Sequence, residues 1–174
     1  MKRLALVAAT VCGAVALVVA VSAQQPKPVK VMLADGAGKA VGTATLTETK
    51  TGISIALDVK GLAAGEHAIH IHQTAKCDGP AFTTAGGHFN PTAKKHGLEN
   101  PEGHHAGDMK NFMVAANGTS KAKVTDDSVT LGTGPNSVFT GGGTALVIHE
   151  KADDMKTDPS GNAGNRIACG VIVK

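Results

Sequence analysis

Six histidines and one aspartate in this 174-residue chain have the types and spacing of metal ligands. His70 and His72 lie two apart in the segment His67-Ala68-Ile69-His70-Ile71-His72. On an extended strand they would share one face, while Ile69 and Ile71 would share the other and could enter a core. One short strand would then offer an apolar anchor and two converging nitrogens. Imidazole is the commonest protein ligand for copper and zinc. His88 follows in Gly86-Gly87-His88-Phe89-Asn90-Pro91, then His96, His105 and Asp108, and finally His149. A lone histidine is better read as a surface or satisfied core residue. Six of them with an acidic partner point to metal binding.

Such ligands need elements to hold them. The alternation of Val29, Val31 and Leu33 predicts a strand that ends at the turn Asp35-Gly36. Residues 44–48 are a second strand candidate. Ile53, Ile55, Leu57 and Val59 give the clearest alternation, and residues 61–65 turn the chain into the His-rich strand. Further strands are predicted at 111–115, 121–124, 128–131, 144–149 and 167–173. Two stretches have no period: 73–110, which is rich in Gly, Pro, Asn and His, and 150–165. A structureless connection as long as the first is usually functional, and metal binding would explain its order. No long 3.6-residue period and no internal repeat appear. About eight short strands separated by Gly-rich turns predict an all-β, antiparallel sandwich or barrel.

The N-terminus reads as a separate segment. Lys2 and Arg3, the apolar run 4–21 and the small residues Val21-Ser22-Ala23 predict a signal peptide over 1–23. An uncleaved membrane anchor is the other reading. Residues 24–28 would be a flexible lead-in and 29–174 one domain. The expected location is outside the cytoplasm, periplasmic or extracellular, with no membrane contact after cleavage. Without Lys2 and Arg3 the net charge falls from +3 to +1. That lacks the concentrated Lys and Arg of a nucleic-acid binder, so no nucleic-acid partner is expected. With no Trp, no Tyr and four Phe, a stacking platform for bases or sugars is not expected either. Cys12 would leave with the signal. Cys77 and Cys169 then remain as an even pair in an exported chain, which favours one disulfide over two free thiols.

Six blocks carry a family resemblance: HAIHIH (67–72), CDGPAFTTAGGHFNP (77–91), HG (96–97), HHAGD (104–108), VIHEKADD (147–154) and GNAGNRIACGVI (161–172). In this order they resemble the copper/zinc superoxide dismutases, particularly the bacterial exported members. The resemblance covers nearly all of the chain after residue 23. It implies an eight-stranded antiparallel Greek-key barrel with two long functional loops. It implies copper at His70, His72, His88 and His149, and zinc at His88, His96, His105 and Asp108, with His88 between the metals. Four nitrogens suit Cu(II), and three nitrogens with one carboxylate oxygen suit tetrahedral zinc.

The same resemblance implies that Asp153 links ligands of both metals, that Cys77 and Cys169 pair, and that His67 is a structural hydrogen-bonding residue. Arg166 would attract and position a small anion beside the copper. The implied activity is conversion of superoxide to dioxygen and hydrogen peroxide by copper redox cycling, with His88 and Arg166 as catalytic residues. A reading of a different class is a non-catalytic exported copper/zinc module for metal storage or delivery. Arg166 and the complete copper set favour the enzyme. Ala68-Ile69 stands where Gly-Phe is usual, and the second loop is short, which leaves the residues that steer superoxide unassigned. A homodimer stays open, since no apolar stripe identifies a pairing face.

Overall fold

The alternation read at 53–59 becomes the clearest strand of the fold. Ile53, Ile55, Leu57 and Val59 are buried, whereas Ala56, Asp58 and Lys60 face solvent. Burying every second side chain on one face fixes both the strand and its register. The structure, a computed structural model, describes residues 25–174. The expected signal peptide lies outside the described residues. Nine strands follow in chain order: β1 Val29–Asp35, β2 Ala40–Glu48, β3 Ile53–Lys60, β4 Gly65–His67, β5 Ile69–His72, β6 Phe112–Val114, β7 Thr119–Asp126, β8 Thr144–His149 and β9 Arg166–Ile172.

Seven strands form one antiparallel sheet in the order β5-β8-β9-β1-β2-β3-β7, and β4 pairs with β6. The ring closes through short links. Ser120 Oγ of β7 donates to Met113 O of β6 at 2.6 Å, and β4 runs into β5 through Ala68. Counting β4 and β5 as one bent run gives the expected eight-stranded barrel. The chain crosses the barrel between β3 and β4 and again between β7 and β8, which is the Greek-key pattern. The main core fills the interior, with Leu46, Ile55, Ile69, Ile71, Leu146 and Ile148 fully buried. Among the described residues, no helix is long and apolar enough to cross a membrane.

Two expectations change. The His-rich strand is broken at Ala68, because β4 pairs with β6 while β5 pairs with β8. At the corner Ala68 N donates to Lys151 O, and His149 N donates to Ala68 O. Residues 128–131 are not a strand. There Thr130 makes a single isolated bridge to Ser137, its N–H donating to Asn136 O and its O accepting from Val138 N. The Glu48 carboxylate accepts from Thr130 Oγ1 at 2.7 Å and Leu131 N at 2.6 Å. Val129 and Leu131 still alternate into the core, so the apolar period was real while the ladder was not.

The long connection 73–110 has no strand, as expected, and contains a 3-10 turn at Thr83–Ala85. It is fastened along the free edge of β5. Phe89 N donates to Ile71 O, and Ile71 N donates to Gly107 O. Gly107 N donates back to Phe89 O. The loop therefore covers an edge that would otherwise be open. Gly107 must be glycine, because a Cβ there would meet Ile71 O. The structure pairs Cys77 with Cys169, 92 positions apart, so the loop is also tied to β9.

Candidate metal centre

β5 presents His70 and His72, both fully buried beneath the loop. The loop brings His88 opposite His72 and Asp108 opposite His70 through isolated bridges. His149 ends β8 at an irregularity in the β8–β9 register and lies opposite Arg166 at the start of β9. The seven expected ligands converge in two groups that share His88. One group is His70, His72, His88 and His149; the other is His88, His96, His105 and Asp108. Within each, the ligand atoms all lie within 4.8 Å of one another.

In the first group each ring presents one nitrogen inward and uses the other elsewhere. His70 Nε2 donates to Asp153 Oδ2 at 2.8 Å, and His72 Nδ1 donates to Gly86 O at 2.9 Å. His72 Nε2 and His149 Nε2 face each other at 3.4 Å. His70 Nδ1 and His88 Nε2 are buried with no hydrogen-bond partner. An orphaned buried polar atom costs roughly 1–3 kcal/mol, and a cation supplies the partner that protein groups do not. Burial lowers the pKa of His88 to about 4, against the opposing hydrogen bond to Asp108. Burial, with His70 and His88 nearby, lowers that of His149 to about 3. His72 is held well below its ordinary value by burial and by His88. These rings are neutral at pH 7, the form that binds a metal.

The second group surrounds one carboxylate oxygen. Asp108 Oδ1 lies 2.8 Å from His88 Nδ1, 3.1 Å from His96 Nδ1 and 3.3 Å from His105 Nδ1. His88 Nδ1 and His105 Nδ1 are 3.3 Å apart. A tetrahedron with bonds of about 2.0 Å has edges of about 3.3 Å, so this donor set fits zinc. Asp108 Oδ2 faces away and accepts from Gly97 N and His105 N. Burial would raise the Asp108 pKa, but hydrogen bonds from His105, His88 and His96 hold it far below the carboxylate range. For His96, burial is outweighed by Asp108 and Asp153, which raise its pKa to about 9.

Asp153 lies between the groups. Its carboxylate accepts from His70 Nε2 and from His96 Nε2, the latter at about 3 Å from either oxygen. Burial works against ionisation, yet those two hydrogen bonds leave Asp153 well below its ordinary pKa. Asn111 clamps its backbone, accepting from Asp153 N at 2.9 Å and donating to Asp153 O at 3.0 Å. Asp158 accepts from His96 N at 2.7 Å. Sequence reasoning missed Asn111 and Asp158, since both act on backbone groups and neither has a ligand's spacing. His67 is not among the convergent ligand atoms; Nδ1 meets His149 O at 2.8 Å and Nε2 meets Ala63 O at 2.9 Å.

Arg166 is half-buried, and its Nη1 and Nη2 each donate at 2.7 Å, to Phe82 O and Gly86 O. It lines a cavity of about 600 Å³ together with His72, His88, His149, Pro159 and Ser160. The arrangement offers an open anionic-ligand site beside the first donor group. Of the second group, His88 and His105 also line this cavity, while His96 and Asp108 are buried behind them.

Residues 40–172 match the family model described as copper/zinc superoxide dismutase. "Superoxide dismutase [Cu-Zn] 2" of Aquifex aeolicus is 49% identical over 90% of this chain and 92% of its own. "Superoxide dismutase [Cu-Zn]" of Caulobacter vibrioides is 40% identical over 79% of this chain and 80% of its own. Among solved structures, the P104H mutant of a SOD-like protein from Bacillus subtilis superposes with a TM-score of 0.80. It is 38% identical and covers 83% of this chain and 97% of that one. Barrel, paired donor groups and sequence agree, and the chain belongs to the copper/zinc superoxide dismutase family.

Proposed function

We propose that this protein dismutes superoxide, with copper held by His70, His72, His88 and His149 and zinc by His88, His96, His105 and Asp108. Two superoxide anions and two protons give dioxygen and hydrogen peroxide. The observation that carries the reading is the His88 ring, whose Nε2 is buried and unpartnered in one donor group while Nδ1 lies in the other. The names of the relatives, superoxide dismutase [Cu-Zn], support the activity and both metals. When bound, copper supplies a one-electron couple and zinc a fixed positive charge.

The chain's own residues do the remaining work. The Arg166 guanidinium draws the substrate anion into the cavity and holds it. His88 Nε2 takes up a proton in the half-reaction that releases dioxygen and returns it in the half-reaction that forms hydrogen peroxide. Its Nδ1, 2.8 Å from Asp108 Oδ1, would be the nitrogen that holds zinc, which leaves Nε2 free for the proton. Asp153 fixes the His70 and His96 rings through their outer nitrogens. Residues 1–23 are read as a signal peptide, 24–28 as a lead-in and 29–174 as the catalytic domain acting in the periplasm or outside the cell. The Cys77–Cys169 bridge suits that oxidising location.

The test loads the purified protein with both metals and follows superoxide decay alongside metal content. The wild type accelerates decay, H88A abolishes the effect, and R166A lowers it about tenfold or more, the scale on which a focused field acts. Full metal content with no acceleration refutes the enzyme and leaves a metal-holding module.

A further inference from the structure

The Arg166 guanidinium hangs from two carbonyl oxygens of the disulfide loop, those of Phe82 and Gly86. These residues bracket the 3-10 turn Thr83–Ala85, and both have positive φ, 54° at Phe82 and 76° at Gly86. Glycine adopts such angles freely. A bulky aromatic residue seldom does and must be held there by its surroundings. The Phe82 ring is 2% exposed and packs with Ala85, Ala145, Val147 and Cys169, against the partly buried Cys77. That small core is separate from the barrel core. Phe82 N donates to Asp78 O, and Phe82 O accepts from Ala85 N as well as from Arg166. Rotation of Phe82 to an ordinary φ would swing this oxygen away from Nη1.

We propose that Phe82 is a positioning residue for Arg166: its ring, buried beside the disulfide, locks the left-handed backbone that aims its carbonyl at the guanidinium. This rests on the reading of Arg166 as the group that holds the anion. Gly86 O also accepts from His72 Nδ1, so that contact is tied to β5 whatever happens at Phe82. Phe82 supplies the second fixed point. A planar fork held at two points has a set direction, whereas one held at a single point swings.

The experiment uses three variants. Phe82→Gly and Phe82→Asn keep access to left-handed angles but remove the ring. Phe82→Leu keeps an apolar anchor. Copper- and zinc-loaded protein is titrated with azide, and metal-free protein is treated with phenylglyoxal, with modification of Arg166 followed by peptide mass spectrometry. Far-UV circular dichroism, metal content and the intact disulfide are checked in parallel. In F82G and F82N, azide binds about three- to tenfold more weakly and Arg166 is modified faster by a similar factor, part of the value of one hydrogen bond to a charged group. Metal content is unchanged, and F82L stays within about twofold of the wild type, well under one such bond. Wild-type values in a folded F82G or F82N overturn the proposal. So does loss of fold in both, which would make the ring purely structural. A wild type that binds azide without dismuting superoxide refutes the functional reading, while the phenylglyoxal comparison still decides the role of Phe82.

Discussion

Asp126 ends β7 as a carboxyl that the fold does not fully satisfy. It is 3% exposed; Oδ1 accepts from Ser128 N at 2.9 Å, and Oδ2 is buried without a partner. Burial raises its pKa from 3.8 to about 7, the Ser128 N–H opposing and the charges of Asp108 and Asp127 adding. The folded state therefore keeps this proton up to about pH 7, while the unfolded chain releases it near 3.8. Between those values the folded state binds more protons, so stability falls as pH rises and levels off above 7. At 1.36 kcal/mol for each pH unit the loss comes to about 4 kcal/mol, and protein polarisability brings it to about 2–4. Asp126→Asn removes the ionisation and keeps an oxygen for Ser128. With no Trp or Tyr in the chain, urea unfolding of the metal-free, disulfide-intact proteins is followed by far-UV circular dichroism from pH 4 to 9. Groups common to both proteins cancel in the difference. The variant matches the wild type within about 1 kcal/mol near pH 4, and its advantage grows to about 2–4 kcal/mol above pH 7. A flat difference across the range, or an advantage that shrinks as pH rises, refutes the reasoning.

Other perturbations separate the supports of the site. Asp153→Asn leaves one side-chain oxygen where the His70, His96 and Met155 N–H groups now share two; chelator competition should show copper and zinc bound about 10–100-fold more weakly. Asn111→Ala removes both clamps on Asp153 and should cost about 1–3 kcal/mol in urea unfolding. Replacing Cys77 and Cys169 by serine opens a link between residues 92 apart; the metal-free protein should lose about 4–5 kcal/mol, read from the shift in its urea midpoint.

Strands were legible wherever one face meets the core and the other meets water. β1 and β3 were readable for that reason, since period 2 follows from the pleat, whereas β8, buried along its whole length, was legible as a short apolar run. The break at Ala68 left no trace in the period, because the alternation continues while the partner strand changes. Residues 128–131 misled for the opposite reason: their apolar period is genuine, but their hydrogen bonds go to Glu48 and to one isolated bridge with residues 136–138, not to a ladder. The ligand groups were legible because imidazole and carboxylate are side-chain chemistry and the blocks around them resemble a family. Asn111, Asp158, Phe82 and Gly86 were not. Phe82 and Gly86 touch Arg166 only through a carbonyl, which every residue owns, and Asn111 and Asp158 act on backbone groups. Only the φ angles of Phe82 and Gly86 set those positions apart, and these appear only in the fold.

The two donor groups are built by different physics. Three of the four rings around the first group sit on or beside paired strands: His70 and His72 on β5 and His149 at the end of β8. Their direction follows from pleat and register, and burial keeps the rings that shift, His72, His88 and His149, in the neutral form. The second group comes from the loop, which pairs with β5 only at isolated bridges opposite His88 and Asp108 and leaves His96 and His105 outside any pairing. There the Asp108 carboxylate organises the site, one oxygen held by Gly97 N and His105 N and the other facing three Nδ1 atoms. A pre-ordered negative charge does for the loop what register does for the strands. His88 belongs to both, bridged to β5 at His72 and drawn to Asp108 from the loop, and Asp153 adds a second connection from His70 to His96. Joining the groups twice, once through a shared ring and once through a shared carboxylate, makes the position of each set of donors depend on the other.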